Sequence, residues 1–382
     1  METTSRTSPI IPPPIGLVGQ IPVRNIWLLM LYASDLFRQL EHSKIEVEKS
    51  QDSIPDLVAE ILASATERRL RRNLSYGYIE KDDVLNRVRG RINFFATERH
   101  QLMARGKISC HFDELTVNTP RNRYVRAALD SIAQIVSRKD LSSRCHRLAA
   151  SMTRIGVVGA RPTQWELSVD RLGRHDQADL HVLEAARLAL EMSLPTELSG
   201  SRHLSSPDRE ENWMRKLYEK GIAGFYRVVL SKREWRVKSA RKIGWLISEM
   251  TSGIDQILPR MKTDIELENI PEGYRVVIDT KFNSILTKGW YRDQTLRSGY
   301  IYQIYTYLRS QEDHTDMLAK NAMGLLLHPS VGRSVDEAVE IQGHFIRFST
   351  VDLSAEASQI REQLLHLANS SNKYCQPLNR IS

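Results

Sequence analysis

A chain of 382 residues suits about two domains, and its 41% hydrophobic and 26% charged residues exclude a disordered or fibrous protein. With 54 Lys and Arg against 46 Asp and Glu, the net charge of +8 tilts partners only weakly toward polyanions. Three widely separated cysteines, Cys110, Cys145 and Cys375, offer neither zinc spacing nor a disulfide framework and suit a reducing, cytoplasmic compartment.

The first twenty residues are rich in Ser, Thr and Pro and lack the apolar core of a signal peptide, so residues 1–20 read as a disordered leader. The longest apolar run, Ile26 to Ala33, is far too short to span a bilayer and belongs to a buried amphipathic helix predicted over 21–40. A second helix is predicted over 54–74, with apolar positions at Ile54, Leu57, Val58, Ile61 and Leu62. It ends in Arg68, Arg69, Arg71 and Arg72, which suit a solvated helix C-terminus, with a phosphate-binding patch as the rival reading. Residues 76–118 are strand-rich with Gly and Asp punctuation, the pattern of a small barrel or curved sheet. Helix resumes with NRYVRAALDSIAQIVSR. The stretch from Pro195 to Asp208 has turn chemistry and no apolar period, and marks the domain boundary. A further helix over 209–230 precedes strands.

Residues 258–282, LPRMKTDIELENIPEGYRVVIDTKF, form the most informative segment. Asp264, Glu266 and Glu268 alternate with Ile265 and Leu267 at the period of a strand. NIPEG supplies a tight turn, and RVVIDTKF returns as a β-branched strand ending in polar residues. If the turn centres between Pro271 and Glu272, Asp264 faces Asp279, Glu266 faces Val277 and Glu268 faces Arg275. Asp279 and Lys281, two apart, share that face. Two carboxylates and an amine then cluster at the open end of one hairpin. Side by side, two carboxylates repel unless a divalent cation lies between them. Mg²⁺ accepts one or two carboxylates plus water and a phosphate, and it can activate a bound water against a phosphodiester. A nearby lysine can orient that water or stabilise charge developing on phosphorus. For D-x-K alone, a solvent-facing salt-bridge cluster is the plainer reading. Two features favour chemistry: the apolar run Val276–Val277–Ile278 before Asp279, and a following helix that puts Gln303 and Tyr307 four apart on one face.

The pattern D-(x14)-D-x-K followed by a QxxxY helix resembles the PD-(D/E)xK nuclease superfamily. IPVRNIWLLMLYA, VRGRINF, CHFDELTVNTPRNR, LPRMKTDIEL, VVIDTKF and YQIYTYL, in that order, resemble the McrC family, the nuclease subunits of McrBC modified-cytosine restriction systems. The resemblance implies an α/β (overall α+β) fold. Its parts would be a mixed helical and β-barrel-like docking domain over 21–200, and a restriction-endonuclease-like domain over 201–382 with a central mixed sheet flanked by helices. It maps metal-binding acids onto Asp264 and Asp279, the lysine onto Lys281 and the helix glutamine onto Gln303. A third ligand falls at Glu219, which reads more readily as an exposed helix residue. Pro259 stands five residues before Asp264 rather than beside it, and Thr280 is the middle residue of D-x-K; neither removes a ligand. The implied cofactor is Mg²⁺, with Mn²⁺ as substitute. The implied partners are an McrB-like AAA+ GTPase hexamer and double-stranded DNA carrying modified cytosine.

The sequence contains no G-x-x-x-x-G-K-[ST] loop, so GTP would be hydrolysed only by the partner chain. A non-cleaving regulator of an AAA+ ring and a stand-alone repair-type nuclease are the rival functions. Arg24, Arg89 and Arg91 suit phosphate contacts or buried salt bridges. His175, Asp176 and Asp179 suit loop capping rather than a metal loop.

Overall fold

The computed structural model describes residues 20–34, 54–170, 177–200, 207–230, 234–288, 293–312, 316–332 and 334–375. Residues 1–19, His175 and Asp176 lie outside the described residues. The chain forms two compact units: Asp52–Glu197, and Met1–Gln51 together with Leu198–Ser382.

The first helix, α1 (Val23–Ala33), corrects the domain boundary read from sequence, because it belongs to the carboxy-terminal unit. The reason is its all-round burial: Ile26, Leu28, Leu29, Met30 and Leu31 are each less than a tenth exposed. Tyr32 meets Phe225 edge-on at 5.2 Å between ring centroids. Asn25 Nδ2 donates to the carbonyls of Leu353 and Ala355 at 2.7 and 3.0 Å. Burying each large apolar side chain is worth roughly 1.5–3 kcal/mol, enough to fix a short helix far from its partner in sequence.

The amino-proximal unit contains α2 (Ile54–Arg72), β1 (Gly77–Leu85), β2 (Arg91–Ile92), α3 (Phe94–Arg99), β3 (Ile108–Thr116), α4 (Pro120–Ile132), α5 (Lys139–Arg154), α6 (Gln164–Val169) and α7 (Gln177–Gly200). In α5, Leu141, Cys145, Leu148, Ala149 and Met152 fall on one buried stripe of helical period. The strands form an open antiparallel sheet in the order β1-β3-β2, so no closed barrel is found among the described residues. With β2 only two residues long, the sheet cannot wrap onto itself. Asp179 lies in the first turn of α7 rather than capping a loop. It is buried against Arg69 at 2.5 Å and Arg121 at 3.6 Å. α7 carries helical backbone through Pro195 to Gly200, where turn chemistry suggested a linker.

The carboxy-terminal unit continues with α8 (Pro207–Val229), β4 (Trp235–Ser239), β5 (Lys242–Ile243), β6 (Met261–Lys262), β7 (Ile265–Asn269), β8 (Tyr274–Thr280), β9 (Leu286–Thr287), β10 (Thr295–Leu296), α9 (Ser298–Arg309), β11 (Met323–Ser330), β12 (Asp336–Ile341), β13 (His344–Asp352) and α10 (Ala357–Asn369). Six strands make one mixed sheet, ordered β12-β13-β11-β8-β7-β4. β7 and β8 are the antiparallel hairpin, while β8, β11 and β13 run parallel. The β8-to-β11 connection carries α9 across one face, as a parallel crossover requires. There Val277, Leu326, Ile346 and Phe348 pack with Ile304, Tyr307 and Leu308. All seven residues of β8 are buried, as expected of a central strand covered on both faces. Among the described residues no helix is long and apolar enough to cross a membrane.

Candidate active site

The hairpin adopts the expected register. Glu266 pairs with Val277 and Glu268 with Arg275, and the ladder ends at Ile265–Ile278. Asp264 and Asp279 are the next positions outward. The turn is closed by the Gly273 N–H donating to the Asn269 carbonyl at 3.0 Å, with Gly273 at φ 70°.

The three acids at alternate positions of the first strand meet different fates. Glu266 is buried and paired with Arg241 at 2.8 Å. Glu268 is buried and paired with Lys238 at 2.6 Å and Arg275 at 2.9 Å. Burial alone would raise the Glu268 pKa, but those two cations outweigh it and the net shift is downward. Among the described residues Asp264 pairs with no cation. Its Oδ2 accepts two neutral hydrogen bonds, from the Thr280 backbone N–H and the Thr280 hydroxyl, each 2.8 Å.

Asp279 is 1% exposed, and its Oδ2 lies 2.8 Å from Lys281 Nζ. Beyond this ion pair that oxygen accepts no hydrogen bond among the described residues. Burial, reinforced by the Asp264 charge and opposed by Lys281, pushes the Asp279 carboxyl up to about 6. Lys281 Nζ also donates to Gln303 Oε1 at 2.9 Å, and Gln303 Nε2 donates to the Tyr307 hydroxyl at 2.7 Å. The lysine is thereby held between β8 and α9. Glu219, on α8, is half-buried and its pKa is raised by burial and then by repulsion from Asp264. All five residues singled out from the sequence therefore gather at one end of the sheet, at the carboxyl ends of β8 and β11. Glu219 feels the Asp264 charge without making a close group: among the described residues no three His, Cys, Asp or Glu side chains converge as a metal site.

The donor set nonetheless fits a hard divalent cation. Two adjacent carboxylates, one with an under-used buried oxygen, carry charge that among the described residues Lys281 alone pairs with directly. Mg²⁺ binds in this way, through one or two carboxylates with water and phosphate completing its octahedron.

Several supporting groups escaped the sequence reading. Thr280 counted only as a departure from a motif, yet it is what orients Asp264. Tyr300 sets its ring 4.9 Å from Lys281 Nζ and 5.9 Å from the His328 ring. Asn283 Nδ2 donates to the Tyr300 hydroxyl at 2.6 Å. Burial lowers the His328 pKa to about 4, so this ring is neutral at physiological pH, with Nδ1 3.0 Å from the Asn283 carbonyl. No spacing rule marks these residues, because the groups they serve come from other elements. The arginines Arg24, Arg89 and Arg91 are not buried salt bridges. Arg24 makes a half-exposed pair with Glu356 at 2.8 Å, Arg89 stacks over Phe112 at 4.1 Å, and Arg91 is exposed.

Comparison with known proteins gives a consistent family. The chain is 25% identical over 349 residues to the type IV methyl-directed restriction enzyme EcoKMcrBC of Escherichia coli K12, covering 91% of this chain and 97% of that one. Among solved structures, a half-complex from a tetradecameric assembly of Thermococcus gammatolerans McrB AAA+ hexamers with bound McrC aligns at 15% identity and a TM-score of 0.42, over 91% of this chain and 76% of that one. A cryo-EM structure of the Thermococcus gammatolerans McrBC complex aligns at 13% identity and a TM-score of 0.32, over 48% and 60%. The family model described as McrBC 5-methylcytosine restriction system component matches residues 5–329, and the chain belongs to that family.

Proposed function

We propose that this chain is the DNA-cleaving subunit of a modification-dependent restriction system, a divalent-metal-dependent endodeoxyribonuclease working with an McrB-like AAA+ GTPase. The observation that carries the reading is the Asp264–Asp279 pair abutting Lys281 at the mouth of a buried hairpin. Membership of the McrBC family supports the system and its modified-cytosine DNA. The absence of a phosphate-binding loop from the sequence supports a separate GTP-hydrolysing partner.

Asp264 and Asp279 would hold Mg²⁺, with Mn²⁺ as a substitute. The bound ion would lower the pKa of a water and offset charge on the phosphodiester. Thr280 keeps Asp264 in one rotamer. Lys281, fixed by Gln303, presents its ammonium beside Asp279, where it can orient water or stabilise negative charge on phosphorus. Glu219, within electrostatic reach of Asp264, is the candidate third carboxylate. The amino-proximal unit, Asp52–Glu197, is the candidate docking module for the ring. Three buried free thiols suit a cytoplasmic setting.

The test uses the full chain with its partner GTPase on DNA containing 5-methylcytosine. Asp279→Ala should abolish cutting and leave stimulation of GTP hydrolysis intact. Unchanged cutting by this variant would sink the nuclease reading in favour of a regulator. Metal-dependent cutting by the parent chain alone would favour a stand-alone nuclease.

A further inference from the structure

Most cations around the sheet are committed. Arg236, Lys238, Arg241, Arg275, Lys281 and Arg347 each pair with a carboxylate. Arg215, Lys242 and Lys262 differ. Each is exposed, and none has a side-chain hydrogen bond or ion pair among the described residues.

Their placement is not scattered. β5 and β6 keep the register of β4 and β7: Ser239 faces Ile265, and three positions outward Lys242 faces Lys262. Between these pairs the Ala240 N–H donates to the Asp264 carbonyl at 2.9 Å, and Ala240 itself holds φ at 54°. The short ribbon is therefore the bent continuation of the hairpin sheet past the carboxylate pair, with Lys262 two residues from Asp264. Two lysines directly opposite each other repel, and among the described residues neither forms an ion pair. Arg215 lies one turn before Glu219 on α8, so both share a helix face. The charges reach the site: Arg215 draws down the pKa values of Asp279 and Glu219, and Lys262 that of Glu219.

Glu219 draws on Lys262, but the paired, exposed lysines of the ribbon still present positive charge to solvent, and the anion that must approach a nuclease site is a nucleic-acid backbone. We propose that Arg215, Lys242 and Lys262 form a phosphate track that seats the DNA backbone against the carboxylate pair. The inference rests on the nuclease reading and names the substrate contacts of that same site. Contacts to phosphate position a duplex without reading its sequence, so the track serves every target alike.

The experiment measures binding of the full chain to a short labelled duplex across a salt series, with Ca²⁺ in place of Mg²⁺ to hold cutting off. Lys242→Gln with Lys262→Gln should lower the slope of log affinity against log salt by about 2, one per lysine, and Arg215→Gln should remove about 1 more. Binding at low salt should weaken about tenfold for the lysine pair, equally for methylated and unmethylated duplexes. The melting temperature at low salt should hold or rise, because the cross-strand repulsion is gone. Lys320→Gln, an exposed lysine elsewhere, controls for net charge. The proposal is overturned by an unchanged slope, by an equal loss in the Lys320 variant, or by lost stimulation of the partner GTPase with DNA binding intact. An unchanged slope in a chain that still cuts methylated DNA would remove the track alone. A parent chain that neither binds nor cuts DNA would remove the nuclease reading beneath it.

Discussion

Thr280 donates both its backbone N–H and its hydroxyl to the same oxygen of Asp264, at 2.8 Å each. The middle residue of the D-x-K triplet thus grips the acid on the neighbouring strand, while its two flanking residues hold each other. A hydrogen bond to a charged group is worth roughly 1.5–3 kcal/mol. Thr280→Val keeps the shape and the backbone bond and removes the hydroxyl. Cutting should fall about ten- to a hundredfold in kcat/KM, the rate equivalent of that energy. Thr280→Ser should stay near the parent. A valine variant with parental rates would mean that the backbone N–H alone orients Asp264.

Asp279 makes the free protein less stable than it need be. Its folded pKa of about 6 lies above the ordinary carboxylate value of about 3.9. Below pH 4 the carboxyl is protonated in both states and contributes nothing. As pH rises from 4 to 6 the unfolded chain ionises first, so the native state is penalised. Above pH 6 the penalty is constant, on the order of 3 kcal/mol. Without metal, Asp279→Asn should therefore melt above the parent at pH 8, with the gap closing toward pH 4. Adding Mg²⁺ should narrow the gap at pH 8, because the parent carboxylate then gains a counter-charge. A pH-independent gap would contradict burial and repulsion as its cause.

Lys281 depends on Gln303 for its position. Its ammonium is shared between Asp279 and Gln303 Oε1, and Tyr307 fixes the amide by accepting from Nε2. Gln303→Leu removes the second acceptor and leaves the ammonium on Asp279 and the Tyr300 ring. The loss should fall on kcat, about tenfold or more, with KM little changed, because Lys281 acts on developing charge rather than on remote binding. A change confined to KM would show instead that Gln303 touches substrate. Tyr307→Phe, which frees only the amide nitrogen, should give a smaller effect of the same kind.

The hairpin was legible because it is local. A Pro-Gly turn and strict alternation fix its register, and register alone brings Asp264 to Asp279. Burial of the polar end followed from the apolar run before it. What the sequence did not show was how the other two acids of the first strand are neutralised. Glu266 and Glu268 have the same spacing as Asp264 and differ only in meeting Arg241, Lys238 and Arg275, two of which come from the adjoining strand and loop. The allegiance of α1 was invisible for a related reason. Its apolar period predicts a buried helix and says nothing about which core buries it. Pro195 misled in the opposite direction, as turn-forming residues here carry helical backbone.

The packing of α1 on α8 turns on two small residues. A Cβ at Gly224 would lie 1.8 Å from the Tyr32 carbonyl oxygen, and one at Gly221 would meet Leu29 Cδ2 at 2.9 Å. The second contact is with a movable side chain, but the first is with backbone and cannot yield without displacing α1. Gly224→Ala has the better intrinsic helix propensity, by about 1 kcal/mol, and an isolated helix would gain from it. In the folded chain the clash should outweigh that gain, and overpacking of this kind costs roughly 1–3 kcal/mol or more. The expected outcome is a lower melting temperature together with new protease sensitivity near residues 23–33, where the amino-terminal helix lifts from its groove. Gly221→Ala should be milder, as Leu29 can change rotamer. Because α8 also carries Glu219 and Arg215, Gly224→Ala should depress cutting more than its loss of stability explains when assayed well below its melting point. Equal stability of the parent and the Gly224 variant would show that α1 does not hold this close approach in solution.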